Sequence, residues 1–437
     1  MTSLTRTERL VVAVAAFGFF FDAYELLTLP LILGPSFQEL VAAPPGSATY
    51  DWWITLIIWA PAVCGGLFGL AGGYLADRFG RRRVLVWSIL VYAGASYSAA
   101  LSTTVGMLVI SRCLILVGVC VEFVAGIAWL AEMFSDPRRR EANVALAQAV
   151  SGLGGVTVTA VYLYLVAHAD ELPAIAGGHA AWRYTCLSGV VPAIPLILVR
   201  PFLPESPMWI AGRHRRAKPR VAALFEGPLR RTTLAAIAAT ACTYALAYGA
   251  MQHLPRLVVL LPDVSVLTAE GRELAAGQLQ LSQEIGGMIG RLLLVAIVVA
   301  VVARRRMLQG LQLAAVVAFP VTFVLLTQAG LTWLQIGVFL TAGVTAAQFS
   351  FWGNYLPRVF PTALRATGES FAVNVGGRII GTSFVVATTM TSTALTPHFG
   401  AGRALAVSAA AVATTATIIG LVASRYLAEP ASHHLPE

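Results

Sequence analysis

Apolar stretches of about twenty residues or more recur along the whole chain, and a run of that length is what a helix needs to cross the hydrocarbon core of a bilayer. Of the 437 residues, 57% are hydrophobic and 12% charged, a balance that belongs to membrane-spanning chains rather than to soluble cores. Windowed reading places spans near 10–34, 52–75, 84–103, 107–132, 142–167, 183–203, 232–256, 276–303, 308–327, 333–357, 367–392 and 402–425. The fold class this predicts is an all-α membrane protein of twelve helices. The first run is too long for the apolar core of a signal peptide and carries no small-residue cleavage site, so it is expected to remain as a span.

The basic residues test that count. Lys and Arg number 30 against 21 Asp and Glu, but they sit in short blocks between apolar runs instead of on one polar face, which argues against nucleic acid as a partner. The N-terminus and every second connection hold Arg6, Arg9, Arg78, Arg81, Arg82, Arg83, Arg138, Arg139, Arg140, the arginines between 213 and 231, Arg304, Arg305, Arg306, Arg358, Arg365 and Arg425, whereas the opposite connections hold Arg183, Arg272 and Arg403. The positive-inside rule then puts both termini in the cytoplasm. Glycine pairs add a second constraint. Gly65-Gly66 and Gly154-Gly155 begin 89 residues apart, Gly286-Gly287 and Gly376-Gly377 begin 90 apart, and the two sets are offset by 221 and 222 residues. That phasing fits three-helix units inverted within six-helix halves that are themselves duplicated, so the expected organisation is a bundle over 1–203, a cytoplasmic basic linker over 204–231 and a second bundle over 232–437. The five cysteines all fall inside spans, which argues for small-residue packing over disulfides or a metal cluster.

Asp22 and Glu25 stand in the middle of the first apolar run, FGFFFDAYELL. A carboxylate at a helix centre costs about 2.5–3.5 kcal/mol on insertion, and folding gains nothing from either. Three residues apart, they share a helix face, and two poorly hydrated acids raise each other's proton affinity. A proton site is one reading; a latch to an intramembrane arginine is the other. By depth, Glu122, Arg291 and Arg378 also lie near mid-membrane, and Arg112 is about 15 Å from Glu122 along the fourth span. Arg378, beside Asn374, suits an anion clamp because its guanidinium fork keeps its charge, or else pairs with Glu369. Tyr244, Tyr248 and Gln252 in the seventh span, with Gln348 and Trp352 in the tenth, recur at helical spacing and serve packing or line a cavity for an aromatic or organic acid.

GGYLADRFGRRR, residues 72–83, joins the second and third spans. It resembles the signature loop of the major facilitator superfamily, and the resemblance continues through Arg112 and Gly118, AEMFSDPRRR, LPESPMWI and FPTALRATG followed by NVGGR. It covers both halves and is nearest the metabolite:proton and aromatic-acid:proton symporter and sugar-porter-related branches. The resemblance implies a cytoplasmic gate made of Gly73, Asp77, Arg78, Gly80, Arg81, Glu132, Arg138, Glu205 and Arg365, and proton coupling through the acid pair Asp22 and Glu25; the reading of the residues adds Glu122 to the proton-coupling candidates and gives Arg378, Asn374, Tyr244, Tyr248, Gln252, Gln348, Trp352 and Arg112 as the candidate substrate contacts. Departures include Arg358, where relatives usually place Glu, and VARRRM, which lacks the acid of a second signature loop.

The expected function is proton-coupled symport of a small organic anion by alternating access, in a monomer of the cytoplasmic (inner) membrane with no cofactor beyond the proton gradient. Efflux of amphipathic compounds by antiport, sugar or phosphate symport, and a transport-inactive nutrient sensor are the alternatives. An enzyme is not expected, since no P-loop, GxSxG or HExxH pattern occurs and the histidines form no metal-spaced cluster.

Overall fold

A helix, or a short series of helices, covers every apolar run. The computed structural model describes residues 5–43, 47–134, 136–212, 221–227, 229–300, 304–361 and 364–429. The first span is α1 (Arg6–Leu40), opened by a capping box in which Thr5 and Glu8 satisfy each other's backbone N–H groups. Then come α2 (Ala48–Phe79), α3 (Arg81–Ala100), α4 (Val105–Glu132) and α5 (Pro137–His168). The sixth run is broken into α6 (Ala181–Ser188) and α7 (Ala193–Val199), and α8 (Pro207–Gly212) follows it. The next stretch holds α9 (Leu229–Gly249), α10 (Leu254–Val258), α11 (Pro262–Ser265), α12 (Ala269–Ala300), α13 (Arg304–Pro320) and α14 (Leu331–Val359). The eleventh run is α15 (Arg365–Ser370), a π-helical segment (Phe371–Ile380) and α16 (Phe384–Phe399), and α17 (Ala401–Ser424) is last.

Ten stretches of the described residues are helical, long and apolar enough to cross a membrane. Two further helices, α3 and α12, are long enough but more polar: α3 begins on three arginines, and α12 carries Glu270, Arg272, Glu273, Glu284 and Arg291.

The chain divides into two compact units, one of residues 1–41 and 64–217, the other of residues 42–63 and 218–437. The division between them after α8 falls within the stretch expected as a basic linker, whose residues 213–220 lie outside those described. The first half of α2 is counted with the second unit.

The periodic glycines explain the packing. A side chain on Gly65 of α2 would meet Cys120 and Leu116 of α4, and one on Gly154 of α5 would meet the Phe20 and Tyr24 backbone of α1. In the second unit, Gly286 of α12 lies against the Phe339 backbone of α14, and Gly376 against the Ile237 backbone of α9. The second helix of each predicted three-helix repeat thus rests, backbone to backbone, on the first helix of the repeat it is paired with. Small residues at such crossings let helices approach closely where lipid supplies no hydrophobic drive.

Candidate functional site

Among the described residues of the first unit, seven Asp, Glu and Arg side chains are withdrawn from solvent; Arg81 and Arg183 pair with Glu132 and Glu39, and the other five are Asp22 (5% exposed), Glu25 (0%), Arg112 (1%), Glu122 (1%) and Arg200 (4%). The break in the sixth apolar run arranges two of them. After α6, the segment Ser188-Gly189-Val190-Val191-Pro192 switches to three-residue hydrogen bonds, Val190 N–H to Leu187 and Val191 N–H to Ser188, because Pro192 has no N–H to continue the ladder. Gly189 in this break faces the Glu25 carboxylate so closely that a β-carbon there would collide with it, and Ser96 Oγ would be 2.9 Å from that carbon. At the far end of the broken segment, Arg200 donates to Glu122 at 2.5 Å and to the Leu85 carbonyl at 3.1 Å. Gly18 of α1 leaves the room for this pair, its absent β-carbon being 2.9 Å from Glu122 Oε1. Ser88 Oγ lies 3.4 Å from the other Glu122 oxygen. Arg112 donates to the Glu25 backbone carbonyl at 3.0 Å, and Asp22 is an electrostatic neighbour of Arg200 and Tyr92.

Glu122, expected among the proton-carrying groups, is therefore held by an arginine that the sequence reading passed over. Arg200 stands three residues inside the expected end of the sixth span, and an arginine one turn inside an apolar run is itself a signal. Charge is not balanced in this set: three carboxyls face two guanidinium groups.

The signature loop builds a clamp wholly inside the first unit. Gly80 adopts φ +97°, a left-handed conformation that favours glycine, and begins α3. The Glu205 carboxylate fills the space beside it and accepts from the Arg81, Arg82 and Ser206 backbone N–H groups at 3.1, 3.2 and 3.0 Å, an anion at a helix N-terminus. Arg81 donates to Asp77 at 2.6 Å and to Glu132 at 3.0 Å, and Ser206 Oγ donates to the second Glu132 oxygen at 2.5 Å. Trp209 of α8 closes the clamp on the Asp77 carbonyl at 2.8 Å. Arg78 lies over the Phe79 ring and donates to Tyr74. It is Gly72, not its neighbour Gly73, that meets the Val121 backbone of α4, at 3.2 Å. The Arg138 side chain lies outside the described residues.

In the second unit, the π-helical segment carries Asn374 and Arg378. Such widened turns concentrate at functional sites, and here Gly377 and Gly381 press against the Tyr244 ring and β-carbon. Tyr244 is parallel to Tyr248 at 6.0 Å and edge-on to Phe349 at 4.8 Å. Trp352 Nε1 donates to Thr243 Oγ1 at 2.9 Å, which lies 3.4 Å from Gln348 Oε1. Asn374 donates to Ser370 at 3.2 Å, while Arg365 donates to the Pro357 carbonyl at 2.9 Å. Tyr244, Tyr248, Gln348, Trp352 and Arg378 thus belong to one aromatic and amide-bearing unit, and Gln252 sits on the turn that links α9 to α10. Among the described residues no cluster of His, Cys, Asp and Glu has the grouping of a metal site.

A family model described as Major Facilitator Superfamily matches residues 10–382. The chain belongs to that superfamily. It is a multi-pass membrane transporter with the all-helical fold of the family. It is 28% identical over 342 residues to a protein of Cupriavidus pinatubonensis named "Probable 4-methylmuconolactone transporter", covering 77% of this chain and 73% of the relative. It is also 28% identical over 334 residues to the "3-(3-hydroxy-phenyl)propionate transporter" of Escherichia coli, 73% of each chain. Among solved structures, a D-xylose-proton symporter superposes with a TM-score of 0.77 at 17% identity, covering 96% of this chain and 98% of the other, a likeness of fold.

Proposed function

We propose that this transporter is a proton-coupled symporter for a small organic monoanion, an aromatic or unsaturated-ring carboxylate. One observation carries the reading: leaving aside Arg81 and Arg183, which pair with Glu132 and Glu39, the first unit buries three carboxyls, Asp22, Glu25 and Glu122, with two arginines, Arg112 and Arg200, so that set is neutral when it holds one proton. Asp22 and Glu25 take and release that proton, and Glu122 serves as the fixed counter-ion of Arg200. Arg378, on its π-helical segment beside the Tyr244 and Tyr248 rings, holds the carboxylate, and the aromatic faces hold the ring. Twelve crossings, with α3 and α12 among them, put both termini in the cytoplasm of a bacterial inner membrane, and the chain works as a monomer. The names of the two long-matching relatives support a ring-bearing organic acid over a sugar.

The clamp around Arg81 and Glu205 braces the cytoplasmic end of the first unit during the cycle. Protonation must bind one orientation of the transporter better than the other to drive net movement. Proteoliposomes given 3-(3-hydroxyphenyl)propionate should accumulate it when the outside is acid, and lose that accumulation when the pH gradient is dissipated. Accumulation that ignores the gradient, or follows sodium instead, rejects the proposal.

A further inference from the structure

A second buried charge cluster lies in the other unit and joins Asp51 to residues far along the chain. Asp51, in the first turn of α2, pairs with Arg256 of α10 through Oδ1 and Nη2 at 2.8 Å, with 11% and 13% of the two side chains exposed. The second Asp51 oxygen is 3.0 Å from Thr393 Oγ1 of α16. Arg256 Nη1 is 3.4 Å from His253 Nδ1. Two turns further along α2, Trp59 Nε1 donates to Ser383 Oγ at 2.9 Å. These contacts attach residues 42–63 to the second unit, although the rest of α2 is counted with the first.

An acid in the first turn of a helix needs no partner, because the helix dipole already favours it. The arginine is what requires explanation. It stands in α10, in an otherwise apolar segment, and Asp51 engages only one of its two terminal nitrogens. His253 adds a further donor. An arginine can only donate, so Nδ1 facing it is the acceptor and the proton of the neutral ring sits on Nε2. That Nε2 has no hydrogen-bond partner, and the ring is fully buried. A guanidinium held by one oxygen and a buried N–H with no acceptor both call for an oxygen-bearing anion.

We infer that Arg256 and His253 form an entry site for the carboxylate of the transported anion, and that Asp51 occupies it as a built-in substitute until substrate displaces it and releases the first turns of α2. The inference rests on the reading of the chain as an organic-anion transporter. It extends that reading with a second recognition point, separate from Arg378, at the start of α2 and in α10. The exchange is one carboxylate for another on the same guanidinium, so charge is conserved as the strap lets go.

The test uses the full-length transporter freed of native cysteines, with Ile54→Cys as reporter, since Ile54 lies one turn from Asp51 and is completely buried. Alkylation by a membrane-impermeant maleimide is followed with and without 3-(3-hydroxyphenyl)propionate, and melting temperatures verify that each variant is folded. The anion should speed labelling by about tenfold, which corresponds to about 1.4 kcal/mol of differential binding. Its uncharged amide should not. Asp51→Asn should label fast without the anion and bind it more tightly, whereas Arg256→Gln should label fast and ignore it. The double variant Asp51→Asn with Arg256→Gln removes the strap and the guanidinium together: it should label fast with or without the anion. An anion response in that variant, or none in the unaltered pair, overturns the inference. Should labelling respond to the anion while pH-driven accumulation is absent, the symport reading fails and the entry site stands.

Discussion

Replacing Glu122 by Gln is the perturbation that separates a proton carrier from a counter-ion. The wild-type set of Asp22, Glu25 and Glu122 against Arg112 and Arg200 has one acid in excess, and all five groups are at most 5% exposed. Glu122→Gln leaves two acids and two arginines, a set that is neutral with no proton bound. It also strands Arg200 beside a neutral amide in place of an ion pair 2.5 Å long, and breaking a buried pair in this way costs about 3–5 kcal/mol. The single variant should melt lower by on the order of 10 °C and should equilibrate substrate without concentrating it. Adding Arg200→Met removes the stranded cation and restores the excess of one acid, now Asp22 and Glu25 against Arg112. The double variant should regain both stability and coupling. In proteoliposomes, one proton per monoanion gives about tenfold accumulation for each pH unit of gradient, so the expected ratios are about ten, one and ten for wild type, single and double variant. A folded double variant that still only equilibrates its substrate would mean that Glu122 carries the proton, and the counting argument would fall.

Gly189→Ala pushes a methyl group into the Glu25 carboxylate; pH-driven uptake should drop by at least about tenfold, while Gly34→Ala, whose site is open, should behave as wild type, both read by initial uptake rates. Gly154→Val drives a branched side chain into the α1 backbone at Phe20 and Tyr24 and should cost more than about 3 kcal/mol, seen as loss of the monodisperse peak on size exclusion, whereas Gly94→Ala should not. Gly80→Ala forces a left-handed residue, about 1–2 kcal/mol, against Glu205, and should lower the melting temperature by several degrees with substrate affinity unchanged. Arg378→Gln should raise KM at least about tenfold with Arg378→Lys between it and wild type, because lysine keeps the charge but loses the fork; equal KM for all three would exclude Arg378 from anion binding.

Membrane residence, helicity and the repeat were legible in the sequence because each depends on chain-local quantities. An apolar run must be as long as the bilayer is thick, its backbone must satisfy itself as a helix, and a glycine at a crossing must recur wherever the crossing recurs. Gly65, Gly154, Gly286 and Gly376 marked the repeat in the sequence, and each lies at a helix contact in the fold. Asp22, Glu25 and Arg378 were legible for a related reason, since a charge in an apolar run is conspicuous. Partnership was not legible. Arg200, Asp51, His253 and Arg256 sit at or near the ends of their runs, where polar residues are ordinary, and nothing along the chain links Arg200 to Glu122 or Asp51 to Arg256. The break after Ser188 and the widened turn around Arg378 likewise come from packing, because Gly189 and Gly377 accept a carboxylate and a tyrosine ring that arrive from distant segments. Composition determined where this protein resides and how often its motif repeats; only the folded arrangement decided which buried charges meet, because that is a property of distances between helices and not of order along them.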